Sequence, residues 1–170
     1  MKKILILIIV FISLLGISSC KEELNYDDMD KVTYETMLNL TGSYIVVAYQ
    51  ANCPNCEKLK GVIAEYIKYA ENNKSAMPIY AINVNLAINK KMLLKAGESY
   101  PTNMVGTSNY KNIKVKATPA IMVVKNKTLT KLISDYNTST PVTEGKEYFQ
   151  SLMKERNRRI NNYGKTKKET

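Results

Sequence analysis

The stretch Tyr44-Ile45-Val46-Val47-Ala48-Tyr49 constrains this chain more than any other, because it runs almost directly into Cys53-Pro54-Asn55-Cys56. An unbroken apolar run rich in β-branched and aromatic residues, bounded by turn formers, is the pattern of a strand buried on both faces. From Cys53 onward Leu59, Val62, Ile63, Tyr66, Ile67 and Ala70 recur at helical spacing, with charged residues between them, as far as Asn72-Asn73. The two cysteines therefore fall where a buried strand turns into a helix. Pro78 to Val84 reads as a second strand, parallel to the first because a helix long enough for a crossover separates them.

Around this unit the pattern predicts a short amphipathic helix over 30–40, closed by Gly42, and another helix over 87–97. An irregular loop follows over 98–112. Ala120 to Val124 and Thr128 to Ile133 flank Lys125-Asn126-Lys127, a hairpin signature. A last helix, opened by Thr143 and apolar at Tyr148, Phe149, Leu152 and Met153, runs into a basic tail. The fold class is α/β, with a central mixed sheet flanked by helices.

At a helix start, unsatisfied backbone N–H groups and the helix dipole favour negative charge, so a thiolate is expected on Cys53. Thiolate is the attacking species in disulfide exchange. Cys56, one turn further on, is placed to attack a mixed disulfide on Cys53 and release the partner. Pro54 suits the first helical turn, since its φ is fixed and its missing N–H leaves nothing unsatisfied there.

Histidine is absent from all 170 residues, which excludes Ser-His and Cys-His hydrolase chemistry and His-ligated metals. A zinc site would have to recruit carboxylates or a second molecule, so no metal or other cofactor is expected. The formal charge of +10 suggests nucleic acid. Much of it, however, lies in Lys2, Lys3 and the tail (Lys154, Arg156, Arg158, Arg159, Lys165, Lys167, Lys168), leaving the middle closer to balance. No nucleic-acid partner is expected. The tail reads as a solvated helix end that could also touch anionic lipid headgroups.

The segment Val115-Lys116-Ala117-Thr118-Pro119-Ala120-Ile121-Met122-Val123-Val124-Lys125-Asn126, taken with the cysteine pair upstream, resembles the thioredoxin family in order, spacing and flanking strands from about Asp30 to Met153. The resemblance implies a thioredoxin-like fold and thiol–disulfide oxidoreductase activity, with Cys53 as nucleophile and Cys56 as resolving cysteine. It further implies a cis Pro119 packed beside Cys53 and a Thr118 backbone that pairs with a substrate strand, with Pro54 and Asn55 also facing substrate. Partners would be protein thiols or disulfides and a membrane or extracytoplasmic redox protein. Three departures stand out: Val47 occupies the place of the family's buried acid, Asn52 that of its tryptophan, and Pro54-Asn55 replaces Gly-Pro. The other reading of the pair is a static disulfide in a cell-surface binding module.

Met1 to Cys20 shows a charged start, an apolar stretch too short for a stable span and a small-residue end, the plan of a signal peptide. Ile17-Ser18-Ser19-Cys20 resembles the bacterial lipobox, which implies lipidation of Cys20 and removal of residues 1–19. Two acyl chains hold a protein stably at a bilayer. The division expected is leader 1–19, lipidated Cys20 and tether 20–30, thioredoxin-like domain 31–155 and basic tail 156–170. The domain would sit on the extracytoplasmic side of a bacterial membrane, where disulfides persist.

Overall fold

The computed structural model describes residues 24–166, with side chains as far as Lys154; the leader, Cys20 and the end of the basic tail lie outside the described residues. Four strands, β1 (Ser43–Tyr49), β2 (Ile79–Asn83), β3 (Ala120–Lys125) and β4 (Thr128–Ile133), form one sheet in the order β2-β1-β3-β4. Two α-helices accompany it, α1 (Pro54–Glu71) and α2 (Pro141–Thr166).

β1 is central for the reason its sequence gives: paired on both edges and covered on both faces, it needs apolar residues at every position but the first. Its side chains alternate between two cores. Ile45, Val47 and Tyr49 pack with Leu59, Ile63 and Tyr66 of α1 and Phe149 of α2. Tyr44, Val46 and Ala48 face Tyr34, Met37, Met92, Met104 and Val115 on the other side. β1 runs parallel to β2, with Tyr49 opposite Asn83. It is antiparallel to β3, with Ala48 opposite Ala120, and β3 is antiparallel to β4, with Ile121 opposite Ile133. The ends of β1, β2 and β4 and the start of β3 therefore meet at one end of the sheet. The cysteines emerge there.

The β3–β4 hairpin turns on Asn126 and Lys127, at φ 48° and 65°. Two successive positive values make a type I′ turn, whose twist matches the flanking strands.

Both helices lie on one face, and two segments expected to be helical on the other are not. Residues 33–41 form successive turns, and Lys31 instead pairs in parallel with Ala81 of β2. The cause is local: Thr33 and Thr36 exchange backbone-to-side-chain hydrogen bonds, offering the chain an alternative to the helical ladder. The apolar periodicity is still used, since Tyr34, Met37 and Leu38 are buried. Residues 87–97 hold only a 3-10 turn at Lys90–Met92. Beyond it the N–H of Leu94 donates to the Val115 carbonyl and that of Val115 to Met92, which draws the chain out as a bridge.

The segment assigned to a tether is also part of the domain from Leu24 on. Tyr26 and Met29 are buried around a 3-10 turn at Tyr26–Asp28, so the folded unit begins before residue 31. The last helix opens two residues earlier than Thr143. Pro141 takes the first position, as its fixed φ allows.

Candidate redox site

Cys53 caps the N-terminus of α1 from an extended conformation, and Pro54 is the first helical residue. Asn52 stands at φ 56°, the left-handed region that asparagine enters more readily than most residues. That kink ends the line of β1 and starts the helix. Cys53 and Cys56 are joined as a disulfide, with Cα atoms 5.2 Å apart, and both are buried.

Three groups surround Cys53 Sγ. The backbone N–H of Cys56 donates to it at 3.1 Å and the Thr118 hydroxyl at 3.3 Å, while the Thr118 carbonyl oxygen lies 3.4 Å away. Two donors at the N-terminus of an 18-residue helix stabilise negative charge on this sulfur once the disulfide opens. The Thr118 carbonyl can accept from a protonated thiol. Lys58 adds a cation one turn along, its ammonium held at 3.2 Å by the Asn55 side chain. Val47, fully buried in the same core as both cysteines, supplies no proton acceptor.

Thr118 reaches Cys53 because the Thr118-Pro119 peptide is cis and β3 begins immediately after it. The residues expected to form the site, Cys53, Cys56, Pro54, Asn55, Thr118 and Pro119, are thus gathered at one end of the sheet. Cys20 lies outside the described residues.

Several neighbours were not foreseen. Asn85 accepts the Ala51 N–H at 2.8 Å, fixing the loop after β2 beside the approach to Cys53, and Leu86 and Ile88 of that loop are each 53% exposed. On the other side the Lys116 N–H donates to the Tyr100 hydroxyl at 3.2 Å, and Tyr100 meets Tyr136 edge to face at 4.9 Å. Exposed apolar side chains therefore flank the disulfide on both sides. Of the loop residues considered for partner contact, Tyr100 stands near the site. Met104 is fully buried in the core, and Tyr110 packs edge to face on Tyr34.

The most unexpected neighbour is Tyr26. It is buried, donates its hydroxyl to the Cys56 carbonyl at 2.8 Å and stacks on Tyr49 with ring centroids 4.8 Å apart. Tyr49 in turn donates to the Asp27 carboxylate. Lys31 Nζ grips the carbonyls of Tyr26 and Met29 at 2.6 and 2.7 Å. Burial first, and the Glu57 carboxylate second, push the Tyr26 phenol well above its ordinary range, so it remains a donor at any physiological pH. The available signal was the i, i+3 pair Tyr26 and Met29 in an otherwise polar, acidic run.

Strand order, the helix leaving β1 through the cysteine pair and the cis-proline segment opposite it define a thioredoxin-like fold carrying a dithiol–disulfide site. The arrangement fits thiol–disulfide oxidoreductase chemistry on protein thiols or disulfides. No protein-family model and no curated protein matches the sequence. Among solved structures, the chain is similar to mitochondrial thioredoxin 3 from Saccharomyces cerevisiae in its oxidized form, at 13% identity over 74% of this chain and 97% of that one, with a TM-score of 0.47. Thioredoxin f2 from Chlamydomonas reinhardtii shows 17% identity over 62% of this chain and 82% of that one, with a TM-score of 0.40. Thioredoxin f from spinach chloroplast (long form) shows 13% identity over 72% and 84%, with a TM-score of 0.41.

Proposed function

We propose that the protein is an extracytoplasmic thiol–disulfide oxidoreductase, anchored to a bacterial membrane by lipid on Cys20, that exchanges disulfides with protein substrates. The observation that carries the reading is the pair of donors on Cys53 Sγ, the Cys56 N–H and the Thr118 hydroxyl, at a helix N-terminus. In the oxidising direction a substrate thiolate attacks Cys53, the Cys53–Cys56 bond breaks and Cys56 leaves as thiolate. A second substrate thiolate then attacks the mixed disulfide and releases Cys53, so two electrons pass from substrate to protein. In the reducing direction the Cys53 thiolate attacks a substrate disulfide and Cys56 resolves the product. Cys56 is the natural resolving group because it is buried while Cys53 faces Thr118 and Pro119. The exposed Leu86, Ile88 and Tyr136 beside the site favour a polypeptide over a small thiol.

Direction follows from the reduction potential: a value near −270 mV marks a reductant and one near −120 mV an oxidant. The test is equilibration with glutathione together with complementation by a Cys53→Ser, Cys56→Ser double variant. Loss of function in the variant, with a measurable potential in the parent, is the expected result. Full function in the variant would instead mean a static disulfide. For the anchor, palmitate incorporation and membrane recovery should both vanish in Cys20→Ser.

A further inference from the structure

The peptide unit joining Cys56 to Glu57 is held at both ends. Its carbonyl accepts the Tyr26 hydroxyl at 2.8 Å, and its N–H donates to the Cys53 carbonyl at 3.1 Å. That second bond closes the turn containing both cysteines. Hydrogen bonds in series polarise one another, so the Tyr26 bond strengthens the one that shuts the turn. The tyrosine itself has little freedom, being stacked on Tyr49, which is tied to Asp27, while Lys31 clamps the Tyr26 carbonyl.

We propose that Tyr26 is a positioning residue of the redox site: its hydroxyl holds the Cys53–Cys56 turn in the geometry that brings the two sulfurs together. Resting on the dithiol reading above, the proposal concerns how fast and how completely that pair closes. With the turn held, Cys56 is presented to Cys53 at high effective concentration, which favours both formation of the internal disulfide and resolution of a mixed one. Residues 24–31 thus act as a strap across the turn, doing by geometry part of what a nearby proton acceptor would do by chemistry.

The test uses the full chain carrying Cys20→Ser, so that only one thiol pair titrates, and compares Tyr26→Phe with its parent. Phenylalanine keeps the stacked ring and removes only the hydroxyl. Expected are a glutathione equilibrium displaced about threefold to tenfold toward the dithiol and a similar slowing of Cys56 attack on a glutathione mixed disulfide, as loss of one hydrogen bond implies. Tenfold corresponds to about 30 mV. Thermal unfolding of both redox forms separates this from a general loss of stability, because a merely structural role lowers both forms equally and leaves the equilibrium unmoved. Lys31→Met, which loosens the strap without touching the phenol, should shift the equilibrium in the same direction by less. If the parent exchanges with glutathione but both variants match it within 1.5-fold in equilibrium and rate, Tyr26 has no positioning role. A parent that does not exchange at all overturns the dithiol reading, and the proposal with it.

Discussion

Cys53 shows how much chemistry a few atoms add to a motif. The two-residue spacing and the helix start are written in the sequence, whereas the second donor to the sulfur comes from Thr118, 65 residues away. Replacing Thr118 with Val keeps the shape but removes that donor. Iodoacetamide trapping at pH 7 should then show the Cys53 thiolate about threefold to tenfold less reactive, the worth of about one hydrogen bond to a charged group. An unchanged rate would mean that the helix terminus and the Cys56 N–H suffice. Cys53, Cys56 and Pro54 were legible because their roles depend on neighbours in the chain. Tyr26, Asn85 and Tyr100 were not, because each acts on a segment distant in sequence: Tyr26 on Cys56, Asn85 on Ala51, Tyr100 on Lys116.

Among the elements, the β3–β4 hairpin and the α1–α2 contact carry separable predictions. The type I′ turn places Lys127 at φ 65°, where an L side chain is disfavoured by roughly 1–2 kcal/mol. Lys127→Gly creates Asn-Gly, the preferred pair for this turn, and should raise the thermal midpoint by a few degrees despite the entropy glycine loses on folding. At Gly145 the first turns of α2 come close to the sheet and α1: a Cβ there would lie 2.6 Å from Ile121 Cδ1 and 3.3 Å from Leu59 Cδ2. Gly145→Val overpacks that contact and should cost about 1–3 kcal/mol in denaturant unfolding. A variant as stable as the parent would mean that α2 can slide. The strands and α1 were readable from periodicity because burial on defined faces produced it. The segments 30–40 and 87–97 carried apolar spacing of the same kind, but side-chain hydrogen bonds at Thr33 and Thr36 and the pairing of residues 92–94 with Val115 overrode the helix.

For the whole molecule, tyrosine burial sets the response to alkali. Burial pushes the phenols of Tyr34, Tyr66 and Tyr148 up to about 12, with smaller contributions from Tyr110 at Tyr34 and from Tyr148 and Tyr69 at Tyr66. A tyrosine in the unfolded chain releases its proton near pH 10. Between pH 10 and about 12 the unfolded state therefore binds fewer protons than the folded one, and stability falls as pH rises. Below pH 10 this contribution is fully present. Thermal melts from pH 7 to 11.5 should show a plateau and then a steep decline, with tyrosinate absorbance appearing together with unfolding; ionisation of these residues in a still-folded chain near pH 10 would contradict their burial. By itself, the sequence determined the strand that cannot be exposed, the helix that follows it and the cysteine pair at their junction, since each depends on spacing within one segment. Tertiary structure alone decided that both helices share a face, that turns close the other, and that residues 24–31 fold back over the cysteine turn. These depend on which distant segments win the competition for the same surface, and no local pattern records that outcome.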